Sequence, residues 1–217
     1  MKKIVLLLLT LLTMSGCGGE VQNKSSSEPE KESVKKVSAQ TPATGKKILV
    51  AYFSRTGEEY NVGRITKGNT AIVAEFIAQK TGADLFEIKP ATPYPDDYDA
   101  CIELAKQEIQ ADARPTLTKN IDNFAQYDTI FVGYPIWWSK LPRVMMTFFE
   151  SNDFSGKKII PFCTHAGSGL ASTEREIKAA CPNSNVLGGV AIVGKRCQND
   201  AESVRQEVNQ WLQGLGY

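Results

Sequence analysis

Three short segments of this 217-residue chain carry side chains suited to holding a small molecule. The first, Ser54-Arg55-Thr56-Gly57, offers hydroxyls and small residues, and Asn69-Thr70 follows further on, just after Gly68. Hydroxyls beside the free amides of a helix start form an anion site that needs no Lys, and a phosphate dianion is its natural occupant. The second segment, Pro135-Ile136-Trp137-Trp138, is apolar and aromatic. The third, Thr164-His165-Ala166-Gly167-Ser168-Gly169, is glycine-rich and offers backbone amides. A flat ring could stack on Trp137 or Trp138 while the third segment donates to its polar edge. Phosphate at one end and a flat, hydrogen-bonding ring at the other describes FMN. His165 reads first as a loop residue, and near such a ring it would influence protonation.

The elements that must position these segments alternate between two periods. Residues 48–53 form a continuous apolar run, as expected of a strand buried on both faces. A helix is predicted over 69–80, with Ile72, Val73, Phe76 and Ile77 at helical spacing and Gly82 as its cap. Further strands are predicted over 84–89, 129–133, 158–163 and 186–193, and further helices over 97–111, 144–149, 173–180 and from Asp200 onward. Asp96 is the expected N-cap of the helix at 97. Five such repeats imply an α/β fold, a doubly wound five-stranded parallel sheet with helices on both faces. Ligands of such sheets lie beyond the carboxyl ends of the strands, where all three segments fall. Pro161 sits inside a strand that should be central, so a local distortion is expected there.

Several chemistries are excluded. There is no GxGxxG after the first strand and no GxxxxGK[ST], which removes dinucleotide and P-loop sites of the ordinary kind. The acidic residues of a receiver domain and the Cys of a Cys-dependent phosphatase are also missing from the strand ends. Five Cys without a CxxC pair and a single His leave no ordinary zinc site. Cys101, Cys163, Cys181 and Cys197 read as small hydrophobes, although an exported domain would permit a Cys181–Cys197 disulfide. Lys plus Arg is 25 and Asp plus Glu is 24, which gives no support for nucleic-acid binding.

Residues 46–217 resemble the flavodoxin-like family through Ala51–Gly57 (AYFSRTG), Gly133–Trp138 (GYPIWW) and Thr164–Gly169 (THAGSG). The resemblance implies a sheet in the order 2-1-3-4-5 with noncovalent FMN. The last strand leads quickly to the last helix, as in the short-chain members. Two departures stand out. The family's phosphate loop runs without interruption, whereas here 11 residues, 58–68, separate Thr56-Gly57 from Asn69-Thr70. The phosphate site therefore reads as split. The family is also strongly acidic, whereas this chain is neutral, so its reduced, anionic flavin should form at a less negative potential.

The first 45 residues read differently. Met1-Lys2-Lys3 begins a short apolar run ending in Ser15-Gly16-Cys17, too short to span a bilayer. This resembles a bacterial lipoprotein signal, with residues 1–16 removed and Cys17 lipidated. Without Lys2 and Lys3 the balance becomes 23 basic against 24 acidic residues. Residues 17–45 are then a lipidated Cys and a flexible linker, polar and without aromatics, that as a coil spans roughly 30 Å.

The expected function is that of an FMN electron-transfer protein, lipid-anchored on the extracytoplasmic side of the cell membrane. Redox partner proteins would dock at the flavin edge. An FMN-dependent NAD(P)H:quinone or small-acceptor oxidoreductase is the alternative, and a flavin-free binding module on the same fold is a third.

Overall fold

The computed structural model describes residues 47–217. The predicted signal, Cys17 and the whole of the linker lie outside the described residues. Strands β1 (Lys47–Tyr52), β4 (Asp84–Glu87), β5 (Tyr127–Pro135) and β6 (Lys158–His165) form the body of a parallel sheet. Its far edge is made by β7 (Asn185–Val186) and β8 (Val190–Val193), both paired with β6. The order β4-β1-β5-β6-β7/β8 is the expected 2-1-3-4-5.

The central strands β1, β5 and β6 are mostly apolar because both of their faces are covered. Successive residues of β5 take opposite sides. Ile130, Val132 and Tyr134 pack towards α3 (Arg143–Glu150) and α4 (Thr173–Ala180). Phe131 packs towards α1 (Asn69–Thr81) and α6 (Ala201–Gly214). On that face Val73 and Ile77 of α1 and Val204, Val208 and Leu212 of α6 are fully buried. Gly82 ends α1 in the left-handed conformation, as a C-cap glycine does.

The last strand is not continuous. Pro161 pairs with Val132 on one side but has no N–H to give the other. The ladder therefore stops after Leu187 N donates to Ile159 O at 2.9 Å and resumes at the Phe162–Val190 pair. Between them the Gly189 amide turns away to Glu174 Oε1 at 2.8 Å. The distortion expected at Pro161 thus appears in its neighbour strand.

Several short elements have no counterpart in the sequence expectations. The segment after β1 folds into an antiparallel hairpin of β2 (Gly57–Glu59) and β3 (Gly63–Ile65). A short helix α5 (Gly194–Asn199) fills the link between β8 and α6. The N-cap of α2 (Tyr98–Gln110) also moves by one residue. Asp97, not Asp96, accepts from Ala100 N at 2.8 Å. Asp96 is occupied by the hairpin: its carbonyl takes Glu58 N at 2.8 Å and its carboxylate meets Arg64 at 3.1 Å.

Candidate functional site

A cavity of about 360 Å³ opens beyond the carboxyl ends of β1, β5, β6 and β8. Of the residues singled out from the sequence, Arg55, Asn69, Pro135, Ile136, Trp137, Trp138, Thr164, His165 and Ala166 line it. Ser54, Thr56, Gly57, Thr70, Gly167, Ser168 and Gly169 do not line it.

The split loop closes on itself at Gly68, the N-cap of α1. A Cβ there would collide with Ser54 Oγ and the Arg55 carbonyl, so only glycine lets the two halves meet. Ser54 Oγ then accepts from Ala71 N at 3.1 Å, satisfying one amide of the first turn. Thr70 Oγ1 bonds Thr164 Oγ1 at 2.8 Å, with both residues buried, which ties the start of α1 to the end of β6. The Asn69 and Thr70 amides, at the first two helical positions, have no acceptor within the helix.

Asn69 is only 9% exposed. Gln198 of α5 donates to its Oδ1 at 2.8 Å and to the Lys67 carbonyl at 2.9 Å. That fixes the side-chain amide with Nδ2 on the opposite side. Among the described residues Nδ2 has no acceptor, and Asn69 is part of the cavity wall. This is a donor built and left open.

The aromatic segment is a tight turn. Trp137 and Lys140 exchange backbone hydrogen bonds of 3.2 and 2.9 Å around Trp138 and Ser139. Both central residues have positive φ, 51° and 59°, the pattern of a type I′ turn. Left-handed backbone at a bulky residue is costly and is held only by its surroundings. Here Trp138 Nε1 donates to the Ile102 carbonyl of α2 at 2.9 Å. Trp137 sits edge-on against Phe53 and Tyr94, with centroids 5.4 and 4.8 Å away. Trp137 is therefore anchored in the core, while Trp138, 53% exposed, stands at the cavity mouth.

The glycine-rich loop is organised from within. His165 Nδ1 accepts from the amides of Gly167, at 2.9 Å, and Gly169, at 3.2 Å. Those two amides thus face the imidazole rather than the cavity. Burial lowers the His165 pKa, opposed by a hydrogen bond with the Ala191 backbone. The burial and the two bonds accepted at Nδ1 both favour the neutral ring.

The hairpin supplies a wall that sequence reasoning missed, through Glu59, Tyr60, Asn61 and Val62. Arg55 holds it: the guanidinium donates to the carbonyls of Thr56 (3.1 Å) and Glu58 (2.8 Å), to Glu59 Oε1 (3.3 Å) and to Cys101 Sγ (3.2 Å). Burial raises the Glu59 pKa, and Arg55 opposes that. Tyr60 stacks near Tyr98, with centroids 5.8 Å apart, and Tyr98, Cys101 and Ile102 continue the wall along α2. Val193, Gly194 and Lys195 close the opposite side. The strand-end rule, applied to the last strand as well, would have found these three. The four cysteines among the described residues are buried and free. Among the described residues, no cluster of three metal-ligating side chains exists and no helix is long and apolar enough to cross a membrane.

The family model described as flavodoxin matches residues 47–214. A chain from Bacteroides uniformis, assigned as a flavoprotein, is 34% identical, with a TM-score of 0.64 over 78% of this chain and 99% of its own. A similarly assigned chain from Bacteroides eggerthii is 30% identical, with a TM-score of 0.64 over 80% and 99%. A flavoprotein from Lactobacillus acidophilus, solved in complex with FMN, is 23% identical with a TM-score of 0.55, covering 73% of this chain and 100% of its own. No curated protein matches the chain.

Proposed function

Because the chain belongs to the flavodoxin family, we propose that it binds FMN in the cavity above β1, β5 and β6 and serves as an electron carrier for protein partners. The observation that carries this reading is the two-ended cavity. Its wall carries Asn69, with Nδ2 open at the start of α1, and, after β5, Trp137 and Trp138. An anion fits the first and a flat ring the second, so the residues present suit FMN.

FMN, when bound, supplies one- and two-electron redox chemistry. The chain's own residues bind and orient it. Asn69 and the first amides of α1 would hold the phosphate, and Thr70–Thr164 keeps that helix start against β6. Trp137, locked by Phe53 and Tyr94, sets the position of the turn, and Trp138 at the mouth would offer its ring to the flavin. The hairpin excludes water from the side of α2, and Arg55 holds it there. Glu59, its pKa raised by burial, can keep a proton at the wall at higher pH than an exposed carboxylate.

Electron transfer to a docking protein is favoured over hydride exchange because no second glycine loop or ribose-reading acid opens a nucleotide site. The exposure of Trp138 at the mouth supports this, because a ring held beside it would lie near the protein surface, where a partner could dock. The tether belongs to the same reading: Ser15-Gly16-Cys17 would place lipid on Cys17 and the domain outside the cytoplasmic membrane.

The test is direct. The purified protein should be yellow, or take up FMN with loss of flavin fluorescence, and bind riboflavin much more weakly because the charge-assisted bonds to phosphate are gone. Equal affinity for both refutes the phosphate end. Rapid turnover of NAD(P)H with a quinone would refute the carrier role. Intact mass of the native protein that still includes residues 1–16 would refute the anchor.

A further inference from the structure

We infer that Lys195 supplies the positive charge of the phosphate end and that Gln198 sets the Asn69 amide beside it, so that the short helix α5 forms the third wall of a site otherwise divided between two segments. This rests on the FMN reading above.

The donors expected from the sequence are partly committed within the protein. Ser54 Oγ holds Ala71 N, and Thr70 Oγ1 holds Thr164 Oγ1. Arg55 lines the cavity, but its guanidinium is engaged by carbonyls and by Glu59 at 3.3 Å. A phosphate dianion would therefore meet mostly neutral amides. Lys195 is the cavity-lining cation that, among the described residues, pairs with no carboxylate. Its chain neighbour Arg196, by contrast, is bound to Glu207 at 2.6 Å.

The placement comes from Gly194. Gly194 is buried, and a Cβ on it would stand 3.0 Å from Asn69 Nδ2, so α5 begins directly against the open amide. One turn later Gln198 reaches back to Asn69 Oδ1 at 2.8 Å. One six-residue element thus brings a cation to the rim and turns a buried amide donor toward the same space. Lys195 is exposed, so its pull is that of a solvent-screened charge and should weaken with salt.

The experiment measures dissociation constants of FMN and riboflavin for the full-length apoprotein by flavin fluorescence quenching, at low and high salt. Lys195→Gln should weaken FMN roughly fivefold, the worth of an exposed ion pair, and leave riboflavin unchanged. Lys195→Arg should keep the native preference, and the low-salt deficit of Lys195→Gln should shrink at high salt. Gln198→Leu should likewise narrow the gap between the two flavins, because Asn69 is released. Lys178→Gln, which removes the same charge from α4, should change neither. An unchanged FMN-to-riboflavin ratio in Lys195→Gln, or an equal fall in Lys178→Gln, overturns the inference and leaves FMN binding intact. A native protein that does not distinguish the two flavins defeats the FMN reading itself, and this inference with it.

Discussion

Replacing Thr164 by Val removes one hydroxyl from a contact that joins residues 94 positions apart. Val matches Thr in shape, so no cavity forms and the change isolates the hydrogen bond. Thr70 is 2% exposed and Thr164 is 4% exposed, so the Thr70 hydroxyl left behind cannot turn to solvent. A buried polar group without its partner costs about 1–3 kcal/mol, and about 2 kcal/mol is expected here. For a domain of this size that lowers Tm by roughly 4–8 °C. Thr70→Val should cost a similar amount by orphaning the other hydroxyl. The double variant removes both polar groups, so its loss should be well below the sum of the two singles. Thermal unfolding of the flavin-free protein, followed by circular dichroism, closes the cycle. Additive losses, or a Thr164→Val protein as stable as the native one, would refute the claim that this pair fastens α1 to β6.

The other predictions concern the two loops at the mouth. The His165 pKa is held below its ordinary value, so the unfolded chain binds the extra proton more readily. The stability its neutral ring confers is fully present above the unfolded value near 6.5 and is lost as pH falls through it toward the folded pKa. Exchange of the Gly167 and Gly169 amides, corrected for intrinsic rates, should accelerate across that window, and His165→Gln should abolish the dependence. Ser139 occupies the second central position of a type I′ turn at φ 59°, where glycine is preferred. Ser139→Gly should therefore stabilise the protein by up to about 1 kcal/mol in urea unfolding, and a loss of stability would argue against the turn. Gly194→Val should leave the protein folded but weaken FMN, since the side chain would press on Asn69 Nδ2; unaltered FMN affinity would refute the close approach.

Much of this molecule is written in local pattern. The apolar run at Leu49, Val50 and Ala51 and its counterparts announce strands buried on both faces. The spacing of Val204, Val208 and Leu212 announces a helix lying on the sheet. A parallel sheet puts every strand end on one side, so strand order along the chain is enough to bring the Arg55, Trp137 and His165 loops together. Pro161 foretells a break, because a missing N–H is a covalent fact. What the sequence could not hold is which partner each polar group takes. The hairpin at 57–65 has strands of three residues, too short for a period, and depends on Arg55 and Asp96 for its place. Asp96 and Asp97 are equally good caps locally, and only the hairpin's claim on Asp96 decides between them. The Gly167 and Gly169 amides read as free for a ligand, but the fold brings His165 Nδ1 against them. Asn69 Nδ2 is left open only because Gln198, 129 residues away in the chain, takes the other end of that amide. Hydrophobic period is a property of neighbours in sequence, whereas hydrogen-bond satisfaction is a property of neighbours in space.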